Sequence, residues 1–241
     1  MKPSLFLWIL ACGLVFSCSE NPEKQGRELV DRSILAHGGE DAWREISILK
    51  FNKRTRILRE DGTVESEQNQ QMEYRLKPNF EGKITWSKDS MEHVSTWDGA
   101  KMRYFMGENE VENPGFLTSK KKDFDAEFYA VAQPWKLLDN GIIPVYEGQK
   151  TLENGRLVDV LKIAQGTEAD VRYYYFDPQS AMMVGNEVQM KDQKLLTYHL
   201  GYLDLEGMKV QGQSDRWQVN EKGEKLFLRA EYIYSDYQII K

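Results

Sequence analysis

The chain has 241 residues, 41% of them hydrophobic and 12% aromatic, which is enough apolar material for a sizeable core. Thirty-eight acidic residues against 32 basic ones leave a net charge of −6, arguing against a nucleic-acid partner that needs a basic face. Cys12 and Cys18 both sit in or at the edge of the amino-terminal apolar segment, so the mature fold is expected to rely on packing and sheet pairing, with no disulfide.

That segment comes first in chain order. Lys2 supplies a positive charge, and Leu5 to Phe16 is an almost unbroken apolar run. Its 12 residues fall short of the roughly 20 that a membrane-spanning helix needs. A charged start, a short apolar core and a small residue, Ser17, have the layout of a secretory signal. Val15-Phe16-Ser17-Cys18 resembles the lipobox of bacterial lipoproteins, whose cysteine is lipidated and begins the mature chain. Ile9-Leu10-Ala11-Cys12 is a competitor, but it would leave only Leu5 to Ala11 as the apolar core, at the short limit for a signal. The expected division is therefore a signal peptide over 1–17, a tether over 18–23 starting at lipidated Cys18, and a folded domain over 24–241. The resemblance implies anchoring to the outer membrane through that cysteine, on the periplasmic face or at the cell surface, because no aspartate follows Cys18. The acidic tether Ser19-Glu20-Asn21-Pro22-Glu23 also resembles signals that carry lipoproteins to the surface.

The folded part is expected to open with a helix over Glu23 to His37, where Leu29, Val30, Ile34 and Leu35 recur near the helical period. Gly38-Gly39 supplies its stop. A short second helix, Glu40 to Glu45, carries Trp43. Strands follow. Ile46 to Leu58 alternates apolar and polar positions, and Asp61-Gly62 is a hairpin turn. Thr63 to Lys77 sets Val64, Met72, Tyr74 and Leu76 against a wholly polar face, the mark of an antiparallel strand with one face in water. Phe80 to Lys88, Met91 to Trp97 and Lys101 to Met106 extend the meander, with Asp98-Gly99 turning the last two.

Gly107 to Ser119 reads as a polar loop that interrupts the sheet, and Asp123 to Asn140 as a helix that Pro134 kinks or divides. Seven further strands run from Ile142 to Ile239, with turns at Asn154-Gly155, Asp177-Pro178, Glu206-Gly207 and Lys222-Gly223. The fold class is mainly β with helices (α+β). About 11 or 12 antiparallel strands form one sheet, and an open sheet that large must curl or close. Roofed by the two helical segments, it makes an open half-barrel.

"ILAHGGEDAWREI" before a long strand, "YYYFDPQSAMM" and the closing "YLDLEGMKV…AEYIYSDYQI" resemble the LolA/LolB-like superfamily of outer-membrane lipoprotein sorting, closest to uncharacterised lipoproteins of that fold. The resemblance spans most of residues 24–240. It implies a lidded half-barrel that holds a hydrophobic ligand, a lipid or the acyl part of another lipoprotein. An anchored Cys18 departs from the soluble carrier and suits the receptor arrangement better. Two alternatives stay open: an interaction or sensor lipoprotein with no cargo, and a surface lipoprotein that binds glycans.

Catalytic chemistry finds little footing. His37, His93 and His199 have no metal-ligand spacing to one another or to a cysteine. Gly212 to Arg216 is not a nucleophile elbow, because Arg216 stands where the second glycine belongs. No phosphate loop is present, and no enzyme activity, metal or cofactor is expected. The candidate ligand-cavity residues are the methionines Met72, Met91, Met102 and Met190 with the aromatics Tyr74, Trp86, Trp97, Tyr104, Phe128, Trp135 and Tyr174. Flexible, polarisable methionine suits a lining that accommodates alkyl chains, although each residue singly also fits a packed core. About ten methylenes at ~0.8 kcal/mol each give on the order of 8 kcal/mol before entropy costs, so a greasy groove alone suffices for lipid binding. Phe116 and Leu117, ahead of Lys120-Lys121-Lys122, form a candidate membrane-dipping loop, with packing against the lid helix as the alternative.

Overall fold

The computed structural model of the protein describes residues 21–164, 171–190 and 193–241. The signal segment and the expected lipidation at Cys18 lie outside the described residues. Helix α1 (Pro22–Ala36) starts where the Asn21 side chain accepts the Glu23 amide at 2.9 Å, with proline in its first turn. It ends where Gly39 donates its amide to the Ile34 carbonyl. Gly26, Leu29, Val30, Ser33 and Ile34 form its buried stripe, and Leu35 faces outward instead. Gly26 is the point of closest approach: a Cβ there would overlap the Pro144 carbonyl of the strand beneath. Helix α2 (Glu40–Glu45) buries one residue, Trp43, whose ring stacks on Trp135 at 4.7 Å.

Among the described residues thirteen strands make a single open, curled antiparallel sheet. Its first half is the meander β1 (Ile48–Leu58), β2 (Val64–Arg75), β3 (Glu81–Lys88), β4 (Met91–Trp97), β5 (Met102–Met106) and β6 (Asn109–Glu110). Its second half is β7 (Pro144–Thr151), β8 (Leu157–Ala164), β9 (Val171–Phe176), β10 (Met183–Gln189), β11 (Lys194–Leu205), β12 (Met208–Val219) and β13 (Lys225–Ile240). The last strand returns to pair with the first, Ile48 opposite Ile240, so the two meanders join at the centre and β6 and β7 are the free edges. The sequence count misses β6, two residues that pair only Phe105–Glu110 and Met106–Asn109.

Between the halves lies helix α3 (Pro114–Val131), and here the sequence reading needs correction. The expected loop over 107–119 ends six residues early, because the Asn113 side chain accepts the Phe116 amide and Pro114 opens the helix. The helix also stops sooner, at Val131, and the chain resumes as a 3-10 turn, Trp135–Leu138, after Pro134.

Two hydrophobic cores result. The larger fills the concave face between the sheet and the helices, with Tyr74, Phe124, Leu161, Tyr174 and Phe176 among its most buried members. A smaller one, around Val158, Tyr175, Leu196, Tyr198 and Val219, covers the opposite face of the second half. Glu187 is buried there because Tyr175 donates its hydroxyl at 3.0 Å and the Lys194 ammonium stands 3.0 Å away.

Candidate functional site

The inward positions of the central strands change character along their length. In β1 they run Leu49, Phe51, Lys53, Thr55 and Ile57; the first two meet Tyr74 and Met72 of β2, the next two meet Gln70 and Gln68. One end of the trough is therefore apolar and filled by the helices. The other is partly polar, and beneath α3 it stays hollow, with a cavity of about 560 Å³.

Two kinds of wall surround that cavity. Ile57, Ile84, Trp86 and Phe124 on one side, with Val188, Met190 and Leu195 on the other, give it hydrocarbon surface. Between them the contiguous strands β11 and β12 present Thr197, His199, Ser214 and Arg216, paired Thr197–Arg216 and His199–Ser214. Tyr232 and Tyr234 of β13 complete this floor.

Lys53 ties lid to sheet. It is 5% exposed, and its ammonium donates to Glu127 of α3 at 2.5 Å while lying 4.7 Å above the Tyr232 ring. Arg216 stands over the same ring, its guanidinium 5.0 Å from the centroid. Its Nε donates to the Thr197 hydroxyl at 3.2 Å. His199 is held at Nδ1 by the Ser214 hydroxyl at 3.1 Å, and desolvation by burial pulls its pKa down from 6.5 to about 3, so the ring is neutral at ordinary pH. Its Nε2, like the Thr55 hydroxyl, is buried with no protein partner.

The eleven expected cavity residues scatter. Trp86 and Met190 line the cavity. Phe128 lines a separate hollow of about 530 Å³, whose apolar wall is Trp43, Ile46, Leu76, Phe80 and Tyr129. Trp135 borders a third between α1 and the 3-10 turn. Met72, Tyr74, Met102 and Tyr174 are packed in the large core. Tyr104 is buried against His93, its hydroxyl 2.8 Å from Nδ1, and Trp97 lies 4.2 Å beneath the Lys121 ammonium. Met91 is exposed. Phe116 and Leu117 occupy the first turn of α3 and are half-buried, with the Phe116 ring edge-on to Tyr104 at 4.8 Å.

Of the histidines, His37 and His93 are buried and structural in placement, and only His199 borders the cavity. No trio of metal-ligating side chains occurs among the described residues, and no described helix is long and apolar enough to cross a membrane. The polar floor went unread in the sequence. Its signal was parity: Lys53 and Arg216 occupy inward positions of alternating strands, where an apolar side chain is the norm.

A curled sheet with a helical lid and a hollow between them make an open half-barrel. No known family model and no curated protein sequence matches the chain. Solved structures do. A DUF1329 family protein from Desulfovibrio piger superposes with a TM-score of 0.57 at 10% identity, over 91% of this chain and 93% of that one. A LolA superfamily protein from Nitrosomonas europaea gives 0.56 at 8% identity, over 90% and 94%. A domain named for outer membrane lipoprotein sorting, from Vibrio parahaemolyticus, gives 0.54 at 9%, over 90% and 93%. The chain has the LolA-like fold.

Proposed function

We propose that this is a lipid-anchored protein of the Gram-negative envelope that binds a hydrophobic ligand, a lipid or the acyl chains of a lipoprotein, under α3. Lipidated Cys18 is the anchor in this reading, with the outer membrane as its address, and no catalytic step is involved. The observation that carries it is the hollow itself. Beneath α3 about 560 Å³ is left between hydrocarbon walls and a polar floor, inside the usual size range of small-molecule sites. The LolA-like fold supports the same reading, since two of the similar structures carry lipoprotein-sorting or LolA superfamily names.

Mass spectrometry of lipid extracts from the full-length protein provides the test. A stoichiometric acyl-chain species is expected, and it should disappear when Met190 and Leu195 are replaced by bulkier tryptophan to fill the cavity. Protein that is folded and lipid-free, yet captures a specific envelope protein or retains glycan, would refute ligand carriage and favour the sensor or glycan-binding alternative.

A further inference from the structure

The cavity's charge does not follow the protein's. Overall the chain carries −6, yet the ionic side chains facing this hollow are the cations Lys53, Lys120, Arg172 and Arg216 and the carboxylates Asp123 and Glu127. Lys53 is paired with Glu127, and Lys120 with Asp123 at 2.7 Å. Both carboxylates are thereby used. Arg172 lies 5.9 Å from the Tyr129 ring and Arg216 over Tyr232, and neither has an ion-pair partner among the described residues. An anion is what two such guanidiniums lack.

The geometry distinguishes the two arginines. They lie on β9 and β12, three strand spacings apart, or about 14 Å. Around Arg216 the polar groups form a directed chain. The Gln211 side-chain amide donates to the Ser214 hydroxyl, whose own proton is available to His199 Nδ1 at 3.1 Å. With Nδ1 accepting, the neutral ring carries its proton on Nε2, the atom that has no partner. Arg216 spends Nε on Thr197 and keeps its two terminal nitrogens. Arg216 and His199 thus set a planar guanidinium and a neutral imidazole on neighbouring strands, and Leu195, with Val188 paired to it, follows one inward position beyond Thr197 along β11. This matches a charged head joined to a tail.

We propose that the occupant is a single-chain amphiphile with an anionic head, carboxylate or phosphate, whose head is received by Arg216 and His199 and whose chain runs along the hydrocarbon walls. This rests on the cavity-binding reading above and adds the class of ligand. The fluorescent probe cis-parinaric acid and its uncharged methyl ester discriminate head recognition from chain burial. The full-length protein should bind the acid about tenfold or more tightly than the ester, the scale of one charge-assisted hydrogen-bonded contact. Arg216→Gln should bring the acid down to the ester's affinity and leave the ester within about twofold, and Arg216→Lys should restore part of the preference. His199→Phe should weaken the acid by a smaller factor, about threefold to tenfold. Displacement of the probe by palmitate against lysophosphatidate identifies the head. Equal affinity for acid and ester, a preference that survives Arg216→Gln, or displacement no better than by neutral hexadecanol would overturn the proposal. If neither probe binds, the cavity-binding reading falls with it. The acid-to-ester ratio of the wild-type protein decides the matter even if a variant fails to fold.

Discussion

Glu127→Gln tests whether the lid is held by charge. Lys53 sits on β1 at the centre of the sheet and Glu127 on α3, so their bond is a clamp between the sheet and the lid at the cavity wall. Removing one partner of a fully buried pair costs about 3–5 kcal/mol, because the other charge is left without compensation. Here the Lys53 side chain is 5% exposed but Glu127 is 25% exposed, so the pair is only partly desolvated. Lys53 also keeps its place over Tyr232, worth about 0.5–1 kcal/mol. The expected loss is therefore about 2–3 kcal/mol. At ~2–4 °C per kcal/mol for a chain of this size, thermal melting followed by near-ultraviolet circular dichroism should shift down by about 5–10 °C. The double variant Lys53→Met with Glu127→Leu removes both charges and their desolvation cost, and it should return to within about 1 kcal/mol of the parent. A single variant that melts within about 2 °C of the parent, on that same scale, would refute the clamp. So would a double variant as unstable as the single one, since the loss would then be one of packing.

Acid should weaken the fold through His37. It is fully buried, donates Nδ1–H to the Ser33 carbonyl at 2.8 Å, and has its pKa lowered by desolvation from 6.5 to about 4. The unfolded chain takes up this proton near pH 6.5 and the folded one only near pH 4. The stabilisation is thus complete above about 6.5 and lost progressively as pH falls toward 4, on the order of 3 kcal/mol in all. Urea melts at pH 7 and pH 4.5 should show a smaller change in His37→Gln than in the parent; parallel behaviour would exclude His37 as the source. The turn Phe116–Leu117 gives a separate test. Its contact with Tyr104 predicts that replacing both residues by serine lowers the melting temperature and leaves liposome association of the non-lipidated protein unchanged. Lost association at an unaltered melting temperature would make this turn a membrane contact.

Helix α1 is legible because capping, period and a glycine stop coincide in one stretch. Hairpins are legible because positions such as Gly62 and Gly207 take positive φ, which few other residues adopt cheaply. Inward and outward faces followed from alternation, so Met72, Tyr74 and Met102 do point into the trough. The start of α3 is hidden in the polar stretch 107–119, where Asn113-Pro114 suits a turn as well as it caps and opens a helix.

Parity says which face a side chain occupies and nothing about what meets it there. Whether an inward residue becomes core or cavity wall depends on where α1, α2 and α3 come to rest across the sheet, and that is set by contacts between segments far apart in the chain. The Lys53–Glu127 clamp joins residues 74 apart, and the β1–β13 pairing joins the two ends of the domain. Tyr74 and Trp86 share a face and a residue class, yet Phe124 and Phe128 pack onto the first, while the second stands two residues past Ile84 along β3, at the cavity wall. The amino-acid order by itself determined the strands, their faces and the chemistry each face carries. Only the assembled structure decided that apolar positions would be used up as core and that the hollow would be floored by Arg216 and His199, because empty space is a property of how distant surfaces fit together.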